Sequence, residues 1–424
     1  MDNQSSSRRK FLAVAGSLSA TALAGCSGGG SSSEADGRII KQGYLLPLTG
    51  DLGSLGVAMR DAGMMATAQV QRADIGISVE TQEEDTQTEV PAAIDGANAL
   101  VNSDFPMMVG SATSNIEIGN RVFVPNGMLA CSPSNTLPTL STFEDDDLFF
   151  RTTPGDQYQG FAMAQAVVER LDDIETVATT YINDDYGQLL SQWFSDHFEL
   201  GFGGTVQEQV VHDPVQSSYS SKLQTALSGN PDLLVVITYP QSGVQMFNDY
   251  YAEFDTDRPI MLTDGAKDPT LPDKVGNSME AVVGTMPAAA GPNYDSFTTA
   301  YEDEYGNSAI AFTAQTYDAS AITLLANAAA GENTGSAVSD QMANVANPGG
   351  TAISIDNLAE GVEMAANGEE IHYEGAASAV DFDENGDLQS GSYEIWEFTE
   401  DSDAGINRLD VVDISEEQAL NPGN

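Results

Sequence analysis

Basic residues are scarce in this 424-residue sequence, in which 15 Lys and Arg stand against 64 Asp and Glu. The formal net charge is −49. A surface of this sign repels nucleic acids and anionic membrane surfaces, so the composition argues against both as partners. In salt of about 1 M the Debye length falls to about 3 Å, which screens the repulsion between the acidic groups. The charge is therefore typical of a halophilic protein that folds in concentrated salt.

Cysteine and histidine are also scarce, with two and three residues. Cys131 has no disulfide partner if Cys26 is modified as argued below, and its surroundings in sequence favour a buried small apolar residue over a catalytic thiol. His197, His212 and His372 are isolated, so no zinc-binding spacing exists. The mature chain also contains no Walker loop, dinucleotide fingerprint or catalytic serine motif. The sequence therefore predicts no enzyme, no cofactor and no metal site.

No apolar run is long enough for a membrane-spanning helix, which needs roughly 20 residues. The run Phe11–Ala24 has 14 residues, follows Arg8 and Arg9, and ends in the segment Leu23–Cys26. These flanks resemble a twin-arginine (Tat) export motif and a lipoprotein processing box. We therefore predict a signal peptide over residues 1–25 and a lipid anchor on Cys26 at the extracellular face of the cytoplasmic membrane. An amphipathic or buried first helix is the alternative.

A Gly/Ser-rich stretch follows Cys26 and predicts a flexible linker over residues 26–37. Loss of residues 1–25 removes one acidic and three basic residues, which leaves 63 and 12 and a net charge of −51. Such a charge is common in disordered chains. However, 41% of the residues are hydrophobic, and runs such as Leu233–Ile237 indicate a packed core. The roughly 390 residues after the linker suggest two domains.

Short apolar strands alternate with segments of helical spacing. The predicted strands are Ile39–Leu46, Ile75–Glu80, Met107–Val109, Met128–Ala130, Val177–Tyr181, Thr205–Val211, Leu233–Ile237 and Pro259–Leu262. The predicted helices are Gly56–Val70, Ala92–Val101, Gly160–Leu171 and Lys222–Leu227, and a hairpin-like segment is predicted over Ala379–Phe398. This alternation predicts an α/β fold of two units, before and after about residue 155, with parallel sheets covered on both faces. Ligands of such folds bind at the carboxyl ends of the strands.

Small hydroxyl residues follow two of the predicted strands. Ser111–Asn115 comes after Met107–Val109, and Ser132–Thr136 comes after Met128–Ala130. Backbone N–H groups at a helix N-terminus, aided by hydroxyls, bind anions such as carboxylates. Ser and Thr are also ordinary helix caps. Two such loops at one sheet edge favour a carboxylate site over two separate caps.

Several further segments resemble the branched-chain amino acid type of solute-binding protein, the receptor subunit of an ATP-driven importer. In family order these segments are Tyr44–Gly50 with Gly53 and Gly56, Glu83–Thr86, Arg151–Thr153, Asp184–Gly187 and Phe382–Asp387. The resemblance covers nearly the whole mature chain. It implies the type 1 periplasmic binding protein fold, with two Rossmann-like lobes joined by a three-stranded hinge. The implied N-terminal lobe is 38–155 plus 286–384, and the C-terminal lobe is 156–285 plus 385–424.

The resemblance implies ligand contacts from four residues of the N-terminal lobe. Ser114 matches the serine that binds the ligand's α-carboxylate. The Ser134 carbonyl accepts a hydrogen bond from the ligand ammonium, and Thr136 contacts the amino-acid head group. Leu55 stands where the family often has a larger aromatic residue, which implies an apolar contact and leaves the ligand size open.

Three residues of the C-terminal lobe complete the implied site. Tyr186 and Tyr239 match aromatic positions whose ring faces attract the ammonium. Asp264 matches an acidic position that pairs with the ammonium, where the family commonly has glutamate. A zwitterion needs both its charges paired in a closed cleft, since an unpaired buried charge costs several kcal/mol.

The implied function is a receptor that closes on a branched-chain or related small amino acid and delivers it to the permease and ATPase subunits of an ABC transporter. Hinge crossings are expected near Thr153–Asp156, Gly284–Ala288 and Asp383–Leu388. A sensor of the same fold for amides, urea-like solutes or other small molecules, signalling to a membrane receptor, is the alternative. A hydrolase that uses the acids of the cleft ranks third.

Two acidic motifs are interpreted as structural. Asp381–Gly386 matches the first half of a calcium loop, but Ser392 stands where that loop requires glutamate, so a tight turn is predicted. Asp184 and Asp185 are interpreted as solvated surface residues.

Overall fold

The computed structural model describes residues 37–254, 257–280, 282–400 and 405–423. The predicted signal peptide, the anchor at Cys26 and the linker through residue 36 lie outside the described residues.

Fourteen strands are found in the described ranges. They are β1 (Arg38–Leu46), β2 (Ile77–Asp85), β3 (Met107–Gly110), β4 (Leu129–Ser132), β5 (Phe149–Arg151), β6 (Thr176–Ile182), β7 (Thr205–His212), β8 (Leu233–Ile237), β9 (Ile260–Leu262), β10 (Val282–Pro287), β11 (Thr351–Ile353), β12 (Ile371–Tyr373), β13 (Gly391–Phe398) and β14 (Ile406–Ile414).

The α-helices in the same ranges are α1 (Gly53–Arg72), α2 (Val90–Asn102), α3 (Asn115–Ile118), α4 (Val124–Asn126), α5 (Asp156–Arg170), α6 (Asp185–Asp196), α7 (Ser220–Ala226), α8 (Pro240–Glu253), α9 (Leu271–Val275), α10 (Tyr294–Tyr305), α11 (Thr313–Ala330), α12 (Gly335–Ala346), α13 (Leu358–Ala366) and α14 (Glu416–Leu420).

Two large sheets organise the fold. The first has the order β2-β1-β3-β4-β5 and is entirely parallel. The second has the order β14-β13-β10-β9-β8-β6-β7 and is parallel from β10 to β7, with β13 and β14 antiparallel. The five residues of β8 are all apolar and all buried, as expected for a parallel strand covered on both faces. The two-unit α/β fold with parallel sheets is confirmed.

Each sheet carries its own helices. Helix α11 packs on β1, β3 and β4 and on α1, α12 and α13. Helix α5 packs on β10, β13 and β14 and on α6. We call the five-stranded sheet with α1–α4 and α10–α13 the first lobe, and the seven-stranded sheet with α5–α9 and α14 the second lobe.

The chain passes between the two sheets three times. The connections are 152–155 after β5, 288–293 after β10, and 374–390 between β12 and β13. The lobe boundary predicted at 285/286 falls inside β10, which stays in the second sheet through Pro287. The exact boundaries and the hinge motion remain predictions.

The eight predicted strands and four predicted helices are present, with the predicted ends for Leu233–Ile237 and shifted ends for the others. The hairpin predicted over Ala379–Phe398 is wrong in position. The observed hairpin pairs β13 with β14, whereas 379–390 is a loop with one bridge between Phe382 and Leu388. Strand β14 escaped prediction because it lies at the sheet edge and most of its side chains are at least partly exposed. The predicted tight turn is present, with Asp383 Oδ1 accepting hydrogen bonds from the backbone N–H groups of Asn385 and Asp387.

Candidate ligand site

A cavity of about 420 Å³ lies between the two lobes. Loops that follow the carboxyl ends of β1, β2, β3 and β4 line it from the first lobe, and loops that follow β6, β7, β8 and β9 line it from the second. All seven residues predicted to contact ligand line this cavity, namely Leu55, Ser114, Ser134, Thr136, Tyr186, Tyr239 and Asp264. Their individual roles in binding remain predictions.

The two hydroxyl-rich loops of the first lobe are joined directly. The Ser132 hydroxyl donates to the Ser111 carbonyl at 2.6 Å and accepts from the Asn135 N–H at 3.0 Å. Ser114 adopts the left-handed conformation, with φ 64° and ψ 21°, immediately before the short helix α3. Within the described part of the chain, the buried Ser134 hydroxyl has no hydrogen-bond partner. This side of the cavity therefore offers hydroxyl groups that a ligand carboxylate can use.

The opposite wall contains a buried carboxylate held by neutral donors. Asp264 is 4% exposed, and its Oδ1 accepts from Gln159 Nε2 at 2.7 Å and from the Tyr186 hydroxyl at 3.1 Å. Tyr186 also contacts the Thr263 hydroxyl at 2.8 Å. Burial raises the pKa of Asp264 to about 6, and the two hydrogen bonds act against that rise. No cationic side chain forms an ion pair with Asp264 among the described residues, so a ligand cation would supply its missing counter-charge.

Two tyrosines beside Asp264 form a stacked pair. The rings of Tyr186 and Tyr239 lie 5.8 Å apart at an interplanar angle of 9°. The Tyr239 hydroxyl donates to Asp184 Oδ2 at 2.7 Å, and Asp184 Oδ1 accepts from the Gly187 N–H at 2.8 Å at the start of α6. Burial raises the pKa of Asp184 to about 6. The interpretation of Asp184 as a solvated surface residue is therefore wrong. This half-buried side chain caps the N-terminus of α6 and accepts a hydrogen bond from Tyr239 in the cavity. Asp185 is exposed, as expected.

Apolar side chains complete the cavity, and the sequence reasoning missed some of them. Leu55 and Met59, on α1, are 2% and 1% exposed. Phe312 is 4% exposed, directly precedes α11 and has φ 62°. Phe312 also lines a second, more open cavity of about 1080 Å³, which contains none of the seven predicted residues. The sequence motifs do not predict that Phe312 lines the cavity, because its loop lies far along the chain from the other cavity loops.

The charges around the smaller cavity have one sign. Its lining contains six carboxylates and no Lys, Arg or His, and the six are Asp51, Glu89, Glu117, Asp184, Asp185 and Asp264. A field of this sign favours cationic groups on a ligand and disfavours an anion that carries no ammonium.

Other site classes find little support in the described residues. None of the described helices has the length and apolar character needed to cross a membrane. The part of the chain that the structure describes contains no group of three or more His, Cys, Asp or Glu side chains placed to hold a metal ion. Cys131 is fully buried and unpaired, and burial raises the pKa of its thiol, which suits the predicted packing role.

The fold and the interlobe cavity define a two-lobed α/β protein of the ligand-binding kind. The chain belongs to the periplasmic binding protein family, whose pattern it matches over residues 39–365. The branched-chain amino acid subgroup named by the sequence resemblance is supported by the relatives below. This fold and these relatives are those of binding proteins and not of enzymes.

Two characterised relatives align with most of the chain. One is the chemotactic signal transduction system substrate-binding protein BasB of Halobacterium salinarum, which is 25% identical over 81% of this chain and 84% of its own. Another is the leucine-, isoleucine-, valine-, threonine- and alanine-binding protein of Pseudomonas aeruginosa, 24% identical over 84% of this chain and 89% of its own. Among solved structures, the leucine binding protein LivK of Thermotoga maritima superposes with a TM-score of 0.74 at 22% identity, covering 89% of this chain and 99% of that one.

Proposed function

We propose that this protein is a receptor for a small amino acid with an apolar side chain, branched-chain or related, which it binds between its lobes. The observation that carries the proposal is the pairing of two kinds of group across one cavity. Ser114 and Thr136, which carry hydroxyls, line the cavity on the side of the first lobe. Asp264 and the stacked pair of Tyr186 and Tyr239 line it on the side of the second lobe. In this arrangement the hydroxyls take the carboxylate of the ligand, and Asp264 and the Ser134 carbonyl take its ammonium.

The charge of the lining supports an ammonium-bearing ligand. A simple carboxylate such as benzoate would meet six acidic side chains and no basic one. A zwitterion avoids this cost because its ammonium pairs with Asp264, whose carboxylate otherwise stays buried without a counter-charge. The cavity of about 420 Å³ lies toward the small end of the usual range of roughly 300–1,000 Å³ for ligand sites. Leu55, Met59 and Phe312 supply an apolar wall for the side chain.

We further propose that ligand binding closes the two lobes by bending at the three connections between the sheets. The closed form would then be recognised by the permease of an ABC transporter. The sequence before residue 37 supports a lipid-anchored, Tat-exported protein at the extracellular face of the membrane, held through Cys26. The charge of the mature chain supports a halophilic setting.

A sensor is the second candidate. The relative from Halobacterium salinarum is named as a chemotactic signal transduction protein, which favours a role in which the closed form is read by a membrane receptor. Ligand-dependent capture of the membrane partner separates the two candidates. A permease captured by the liganded protein would support transport, and a transducer would support sensing.

Thermal unfolding of residues 27–424 in molar KCl tests the ligand class. A ligand that binds only the folded state raises its stability by RT ln(1 + [L]/Kd). We expect leucine, isoleucine or valine to raise the Tm, and we expect benzoate and aliphatic carboxylates to leave it unchanged. The Asp264→Ala variant should lose the amino-acid response. Stabilisation by amides or urea-like solutes alone would leave the fold assignment intact and overturn the head-group roles of Ser114, Thr136 and Asp264.

A further inference from the structure

A second buried carboxylate lies near enough to Asp264 to feel its charge. Asp156 is the first residue of α5, is fully buried and is absent from the lining of the ligand cavity. Its backbone N–H donates to the Thr136 carbonyl at 2.7 Å, so it lies immediately beneath the predicted head-group loop. Gln159, one turn later on the same face of α5, holds Asp264 at 2.7 Å. Asp156 and Asp264 therefore approach one another from adjacent elements inside the protein.

Arg151, the basic residue that acts on Asp156, has its hydrogen bonds with other groups. Arg151 pairs with Asp387 through Nε at 2.5 Å, and its other nitrogens donate to the carbonyls of Asn135 and Leu137 and to the Ser141 hydroxyl. Burial raises the pKa of Asp156 well above its ordinary value, and the charge of Asp264 raises it further. The nearby Thr136 hydroxyl and the Arg151 guanidinium lower this pKa, although neither forms a hydrogen bond of ordinary geometry with the Asp156 carboxylate. The surroundings thus leave this carboxylate without a paired cation.

Unpaired oxygens occur repeatedly, together with those of Asp156, along the segment that leads into α5 and through its first turn. Among the described residues, no hydrogen bond of ordinary geometry is made by either Asp156 carboxylate oxygen, the Thr153 hydroxyl, Gln157 Oε1 or Gln159 Oε1. Thr153 and Gln159 are fully buried. Buried acceptors without partners are rare, because each costs about 1–3 kcal/mol. A single proton on Asp156 would satisfy at most one of these oxygens, whereas one small cation can contact several.

We propose that a monovalent cation, Na⁺ or K⁺, binds beside Asp156 to these carboxylate, hydroxyl and amide oxygens. Carboxylate, amide and hydroxyl oxygens are the ligands that hard cations take. The charge balance favours a single positive charge, since the ligand ammonium compensates Asp264 from the cavity side and cannot reach Asp156. That last step rests on the proposed role of Asp264. The bound cation would let the closed receptor hold two adjacent carboxylates in ionised form.

The test is a cation exchange at constant ionic strength on the intact protein without amino acid. N-methyl-D-glucamine chloride at about 2 M screens surface charge as other salts do, but its cation is too large for a buried site. We expect NaCl or KCl, exchanged for part of that salt, to raise the Tm along a saturating curve. The Asp156→Asn variant, which removes one charge at constant size, should lose the saturating rise. Asp172→Asn removes an exposed carboxylate after α5 and should keep it.

An equal Tm in all three salts overturns the cation site, as does a saturating rise that persists in Asp156→Asn. If Asp156→Asn does not fold, wild-type crystals grown in NaCl and in RbCl, whose cation replaces K⁺, decide the question. An ion peak among Thr153, Asp156 and Gln159 in either salt, anomalous in the case of Rb⁺, supports the site, and its absence from both overturns it. Neither readout uses an amino acid, so failure of the proposed ligand class and failure of the cation site are separate outcomes.

Discussion

Asp51 of the first lobe caps a helix of the second. One of its carboxylate oxygens accepts from the Ser242 backbone N–H at 2.9 Å, and the other accepts from the Ser242 hydroxyl. Ser242 is the third residue of α8, and the N-cap residue Tyr239 makes no side-chain capping bond there. A second bond links the lobes where the Ser54 hydroxyl donates to Asp268 at 3.1 Å. The described conformation is therefore one in which the lobes contact each other beside the cavity, through protein groups alone.

Removing the Asp51 carboxylate should favour separation of the lobes. A negative group at a helix N-terminus contributes about 0.3–1 kcal/mol when exposed and up to about 2 kcal/mol when partly buried, and Asp51 is 4% exposed. We expect Asp51→Ala to increase the radius of gyration of the unliganded protein in small-angle scattering. The ligand must then also drive closure, so its Kd should rise by about 2- to 30-fold.

Asp172→Ala is the matched control for this experiment, because it removes an exposed carboxylate far from α8 in sequence. It should change neither quantity. An Asp51→Ala protein with wild-type scattering and wild-type affinity would show that the contact does not bias closure.

The Asp264→Ala substitution should weaken amino-acid binding by about 2 to 5 kcal/mol, because it leaves the ligand ammonium buried without its anion. Isothermal titration in molar KCl measures the loss. Asp185→Ala removes a neighbouring acid that lies exposed at the cavity, and exposed pairs are worth about 0–1 kcal/mol. A loss below tenfold in Asp264→Ala would refute the assigned role.

The parts of this fold that sequence predicts well are those where a local pattern decides the structure. Strand β8 is a continuous apolar run because both its faces are buried. The loops of Ser114 and Thr136 are predictable as neighbours because β3 and β4 are adjacent parallel strands whose ends meet at one edge of the sheet. The family resemblance then assigned their roles, which spacing alone left open between a cap and an anion site.

The parts that escaped prediction depend on contacts between distant segments. Asp51 acts on a helix 191 residues away, and nothing in its own loop specifies that partner. Phe312 reaches the cavity from the loop before α11, which follows β10 of the second lobe in the chain. Asp156 looks like an ordinary acidic residue in the first turn of a helix until Asp264 is placed against it.

Ligand binding should weaken below about pH 6. Burial raises the pKa of Asp264 to about 6 from an ordinary value of 3.8, so the empty site takes up a proton as the pH falls through that value. The ammonium needs the ionised form, so binding must then release this proton. We expect the affinity to be constant above about pH 7 and to fall by up to tenfold per pH unit below about pH 6.

Titrations at pH 5 to 8 in constant KCl measure this slope. Burial raises the pKa of Asp184, which accepts the hydrogen bond from Tyr239, to about 6. Burial and the charge of Asp264 also raise the pKa of Asp156, which is not part of the cavity lining. The Asp264→Asn variant separates these groups, because it should bind weakly with little dependence on pH. A wild-type slope that survives in Asp264→Asn would assign the titration to Asp184 or Asp156 instead.

Substitutions at Tyr239 separate the two roles of its side chain. Tyr239→Phe keeps a ring for the stack on Tyr186 and removes the 2.7 Å bond to Asp184. Tyr239→Leu removes the ring as well. A ring face contributes roughly 0.5–2 kcal/mol to holding a cation. We therefore expect the affinity of Tyr239→Phe to stay within about threefold of wild type and that of Tyr239→Leu to fall by about 3- to 30-fold. Isothermal titration with the same amino acid measures both changes. Asp184 still caps α6 through Gly187 in both variants, so both should keep the wild-type fold. If Phe loses as much affinity as Leu, the Tyr239–Asp184 hydrogen bond and not the ring face is what the ligand needs.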